Sequence, residues 1–137
     1  MTVRTRSLLA GLTLVVLAVA ACGSSTPSAA IPDITGIWTG ASSYADVDGT
    51  VKGSPETFTV TKQDGAKIWA TVEYANSDGA AAKETVVGTF MDGGKGFILT
   101  ERASLWQGVV NGTTMSVVVA WMGDPSHGAF EMTLTKK

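Results

Sequence analysis

Lys67-Ile68-Trp69-Ala70-Thr71-Val72-Glu73-Tyr74 is the stretch that decides the fold. Ile68, Ala70, Val72 and Tyr74 share one phase, and Lys67, Trp69, Thr71 and Glu73 share the other. Successive strand side chains point to opposite faces, so this period of two predicts a strand with one buried and one wet face. The same pattern recurs on both sides. Phe58 and Val60 alternate with Thr57, Thr59 and Thr61, and Phe130, Met132 and Leu134 alternate with Glu131, Thr133 and Thr135. Between such segments come turn signals: Asp48-Gly49, Asp64-Gly65, Asp78-Gly79, Asp92-Gly93-Gly94, Asn111-Gly112 and Asp124-Pro125. Asp-Gly and Asn-Gly supply the positive φ that tight hairpins need. Eight strands are expected, at about 35–44, 56–63, 66–74, 84–90, 96–101, 104–110, 113–121 and 128–135. Every connection is short enough for a meander, which predicts an all-β, eight-stranded antiparallel up-and-down barrel, with a β-sandwich as the alternative.

The chain has 137 residues, enough for one domain. Its apolar residues are unevenly spread: 14 of the first 21 positions are hydrophobic, against 47 of the remaining 116. Five of the eight leucines lie in that opening stretch, and no helical period survives beyond it. Residues 1–7 carry Arg4 and Arg6, and residues 8–21 form an apolar run. That run is shorter than the roughly 20 residues of a membrane-spanning helix, so it reads as a signal h-region. It ends in Val19-Ala20-Ala21-Cys22-Gly23, which resembles the bacterial lipobox. The resemblance implies a signal peptide over 1–21 and Cys22 as the lipidated first residue of the mature chain. It also implies anchoring on the outer face of the plasma membrane, or in the outer membrane of a double-membraned host. Residues 22–33, rich in Ser, Ala and Pro, read as a flexible tether to a barrel domain over 34–137.

Ile34-Thr35-Gly36-Ile37-Trp38 contains a Gly-x-Trp element. It resembles the opening strand of lipocalin-like and avidin-like barrels, where the Trp closes one end of the core. The resemblance implies an eight-stranded barrel with a ligand cavity at the far mouth. The biotin-binding families carry Asn two residues after this Trp and, in bacteria, Ser six residues after it. Gly40 and Tyr44 stand there instead, so biotin binding is not carried over.

Charge and chemistry exclude several classes. Without the first 21 residues the chain holds eight Lys+Arg against twelve Asp+Glu, so no nucleic-acid footprint is expected. One Cys and one His, His127, supply neither a disulfide nor a zinc site. Asp46-Val47-Asp48-Gly49 fails as a calcium loop, because Tyr44 and Pro55 stand where carboxylates belong. Glu73, Glu84, Glu101 and Glu131 are expected on or beside a solvated strand face, and Asp92–Gly96 reads as a hairpin turn. No cofactor, metal or catalytic residue is expected. Two readings stand. In the first, the barrel binds a small apolar ligand, with Trp38, Tyr44, Tyr74, Trp106 and Trp121 as candidate lining and with Ala70, Gly88, Gly108 and Ala120 leaving room. In the second, it is filled by its own side chains and docks an envelope protein. Residues 115–122 are apolar in both phases, so Val118, Met122 and the outward-phase Trp69 are the candidate interface.

Overall fold

The computed structural model describes residues 30–46, 49, 51–76, 78–123 and 127–137, without the side chains of 44, 46, 51 and 52. The signal segment, Cys22, most of the tether, Asp48 and the Asp124-Pro125 turn lie outside the described residues. Eight strands follow one another: β1 (Gly36–Asp46), β2 (Val51–Asp64), β3 (Lys67–Ala75), β4 (Ala81–Met91), β5 (Gly96–Thr100), β6 (Ser104–Asn111), β7 (Thr114–Met122) and β8 (His127–Lys136). Each pairs antiparallel with its neighbours in sequence, and β8 closes on β1 to make a complete barrel. That seam sets Trp38 opposite Lys136 and Asp46 opposite Gly128.

The turn signals act as expected. Gly49, Gly65, Gly79, Gly93, Gly94 and Gly112 all have positive φ. Asp92–Gly94 makes a three-residue left-handed turn instead of a two-residue hairpin, with Asp92 also at positive φ. The strands are longer than local propensity alone indicates. β2 begins at Val51 instead of residue 56, because β1 templates it through Ala41–Pro55 and Tyr44–Lys52. β4 begins at Ala81 instead of residue 84, because β3 templates it through Tyr74–Ala82.

One irregularity shapes the barrel's base. The β2–β3 register slips between Val60 and Lys62, an added residue that changes the phase of the strand beyond it. Past the bulge Gln63 pairs with the inward-facing Ile68. Its amide reaches across the base: Ile34 N–H donates to Oε1 at 3.0 Å, and Nε2 donates to the Pro32 carbonyl at 2.9 Å. Residues 30–34 are thereby strapped over the end of the barrel, with Ile34 buried.

Inside, the base and waist are filled. Trp38, Phe58, Phe97, Val72, Val86, Met115, Val119 and Leu134 are each fully buried. Trp38 donates its indole N–H to the Ile34 carbonyl at 2.9 Å, so the ring plugs the base with its one polar group satisfied. Glycine leaves no room for a ligand at Gly108. A Cβ there would stand 2.3 Å from Cζ of Phe97, whose ring occupies the space and meets Phe90 edge-on at 6.1 Å. Ala70 is part of the core. At Gly88 a Cβ would meet the Ile98 carbonyl oxygen at 1.9 Å, so the position is a close strand approach and not spare volume. Ala120 corrects the expectation outright: it alternates with Val117 and Val119 and faces solvent.

Candidate ligand-binding mouth

The inward phase changes character towards the far end. On β1 it passes from Trp38 to Ser42, on β2 from Val60 and Phe58 to Glu56 and Ser54, and on β4 from Phe90 and Val86 to Glu84. Strand alternation carries these polar side chains to the interior regardless of their type. Expecting Glu84 on the solvated face was therefore wrong: it lies in the phase of Val86 and is half-buried at the mouth.

An aromatic floor lies beneath them. Trp106 is 2% exposed, tilted against Phe58 at 6.3 Å and edge-on to Phe130 at 5.9 Å. Its indole N–H donates to Ser104 Oγ at 2.6 Å, and that hydroxyl donates to Glu101 Oε1 at 3.3 Å. The Glu101 carboxylate also accepts the Arg102 and Ala103 N–H groups. It holds the β5–β6 turn, a connection with no glycine.

Glu56 is 6% exposed, and its Oε1 accepts Ser42 Oγ at 2.8 Å and Ser54 Oγ at 2.9 Å. Burial pushes this carboxyl above the usual range; the two hydroxyls oppose the shift and the Glu84 charge adds to it. Tyr74 donates its hydroxyl to Glu84 Oε1. Burial, followed by that bond and the charges of Glu84, Glu101 and Glu56, pushes the phenol above its ordinary value. It remains a donor at neutral pH. Among the described side chains the one ion pair is Lys83–Glu73 at 2.6 Å, and it lies outside the barrel on exposed groups. Among the described side chains, the partners of Glu56 and Glu84 are thus hydroxyls. Among the described residues, no group of three His, Cys, Asp or Glu is placed to hold a metal ion.

The candidate lining residues do not form one cluster. Tyr74 and Trp106 belong to the mouth, and Trp121 stands at its rim, 38% exposed, opposite Ser104 and Gly128. Trp38 is at the other end. Tyr44 lies in β1 opposite Phe130, with its side chain outside the described residues. Sequence reasoning missed Glu56 and Ser42; the signal that finds them is phase, since Glu56 is two residues before Phe58 and Ser42 four after Trp38. His127 is exposed at the start of β8.

The candidate interface residues divide as well. Val118 and Met122 are 55% and 71% exposed on the outer face of β7. Beside them runs a shallow outer groove of about 640 Å³ across β6, β7, β8 and β1, lined by Ala41, Gln107, Val109, Ser116, Val118 and Glu131 among others. Trp69 lies on β3, away from this groove, half-buried beneath the Lys62 ammonium at 4.7 Å from its ring.

No protein-family model and no curated protein matches the chain. Among solved structures it is similar to the crystal structure of Rv2717c from M. tuberculosis, with 13% identity and a TM-score of 0.50 over 75% of this chain and 92% of that one. At that identity the likeness concerns the fold: this chain folds as a small, closed, eight-stranded antiparallel β-barrel.

Proposed function

We propose that the chain is a lipid-anchored binding protein of the bacterial cell envelope, attached through Cys22, whose mouth holds one small amphipathic ligand. The observation that carries this reading is the change of the inward phase from apolar to carboxylate and hydroxyl directly above an aromatic floor. A wholly apolar ligand would strip water from Glu56 and Glu84 without replacing its hydrogen bonds, which is costly. A ligand with a flat apolar part on Trp106 and Phe130, and an ammonium or hydroxyl donor at Glu56 and Glu84, satisfies both surfaces. The expectation of an apolar ligand is thereby narrowed to an amphipathic one.

The test is native mass spectrometry of the mature chain with three probes: an aryl-alkyl amine, the matching alcohol and a fatty acid. The amine should be retained best and the fatty acid excluded, with Glu56→Gln weakening the amine. Preferred retention of the fatty acid, or no adduct with any probe, would overturn the reading. The second reading, docking of an envelope protein, draws on the exposed Val109, Val118 and Met122 along the outer groove. Apolar exposure of this kind is common at partner surfaces.

A further inference from the structure

Two independent observations concern the base of the barrel. The first is where the chain leaves it. Residues 30–34 are held by Gln63, and the backbone of Ile31 and the ring of Pro32 lie against Gly94, both within 3.0 Å of where its Cβ would be. The tether therefore departs from the closed end. From Cys22 to Ala30 it can extend no further than roughly 26–29 Å, and as a coil it spans about 16 Å.

The second is charge. The base half carries Lys62, Lys67, Lys95, Lys136 and Lys137 against Asp33, Asp64 and Asp92, a net of +2 among the described side chains. Among the described side chains the mouth half carries Glu56, Glu73, Glu84, Glu101, Glu131 and Asp78 against Lys83 and Arg102, a net of −4. An acidic protein thus has one cationic end, and it is the end from which the tether leaves. Ile31 and Ile37, 38% and 48% exposed, sit among those lysines.

We propose that the closed base is a membrane-facing surface resting on anionic phospholipid headgroups, which points the mouth away from the bilayer. This rests on the reading of Cys22 as the lipid anchor. Lysines near an anionic leaflet are attracted within about a Debye length, and a net of +2 is too little to recruit a free domain. A short tether supplies the proximity, so the lysines need only orient what is already held. The opposite orientation would bring the acidic mouth against anionic headgroups.

The native lysines are the probes. The protein extracted from membranes is reconstituted into vesicles containing phosphatidylglycerol or into pure phosphatidylcholine vesicles, and lysine acetylation is followed by mass spectrometry. A second sample, the chain from Cys22 onward, is coupled through its single thiol to a maleimide lipid; all eight strands lie after residue 35, so it keeps the whole barrel. On phosphatidylglycerol, Lys67 and Lys95 should be acetylated several-fold more slowly than in detergent, with Lys83 unchanged. The protection should disappear in 0.5 M salt (a Debye length of roughly 4 Å) and on phosphatidylcholine. Equal protection of Lys83, no protection at the base, or equal protection on phosphatidylcholine would overturn the proposal. The mass of the Cys22 peptide from the extracted protein reads the anchor separately, and the coupled sample tests orientation whatever that mass is.

Discussion

The base and the mouth of this barrel are made by the same strands, yet they solve different problems. At the base, the inward positions are Trp38, Ile68, Phe90, Phe97 and Leu134, strapped by residues 30–34. At the mouth they are Ser42, Ser54, Glu56, Tyr74, Glu84 and Ser104, each in a hydroxyl–carboxylate bond, Ser104 with Glu101 of the β5–β6 turn. The base is the source of stability, since burying an aromatic side chain contributes more than a satisfied polar pair. The mouth instead holds polar groups inside the barrel at a desolvation cost, and the proposed ligand reading rests on that feature.

That contrast can be broken most directly at the plug. Trp38→Ala removes a fully buried ring and should lower unfolding free energy by about 3–5 kcal/mol, the usual range for a buried aromatic. Trp121→Ala, at the exposed rim, should cost well under half of that in the same denaturant titration. Comparable losses would show that base and mouth are not energetically distinct.

Glu56 sharpens the comparison through pH. Its carboxyl binds a proton more tightly in the folded barrel than in the unfolded chain. Its contribution is therefore full below the ordinary carboxylate range and is lost as pH rises through the raised folded value. Glu56→Gln keeps an acceptor for Ser42 and Ser54 without the charge. In denaturation at pH 7 it should be more stable than the parent, with the gain vanishing near pH 4. A variant that is less stable at both values would place Glu56 among the structural supports of the barrel.

The smallest effect belongs to the outer wall. Val118→Lys projects from an exposed strand face beside Glu131, its Cα partner on β8. Thermal unfolding should stay within about 0.5 kcal/mol of the parent, as for surface substitutions generally.

Much of the barrel was legible because each cue was local. Alternation in Lys67–Tyr74 placed Ile68, Ala70 and Val72 inside, and Asp-Gly and Asn-Gly marked most of the hairpins. What escaped depended on partners. The first residues of β2 and β4 are strand because β1 and β3 hold them there, and the β5–β6 turn is held by a glutamate where no glycine marks it. The mouth escaped for another reason. Glu84 shares the phase of Val86, a cue that its chemical type overrides when the sequence is read alone. The pairing of Leu99 with Trp106 puts that tryptophan in the core phase.

The seam between β1 and β8 has a kinetic consequence. Seven of the eight ladders join strands adjacent in sequence, while this one joins the two ends of the domain, from Trp38–Lys136 to Asp46–Gly128. Hairpins can zip as the chain collapses, but closing that last ladder requires a loop the length of the whole domain. A chain emerging N-terminus first keeps one edge of β1 unpaired until its final strand arrives. The rate at which this barrel forms is thus set by its most distant partners, and any residue added between them lengthens the wait only slightly.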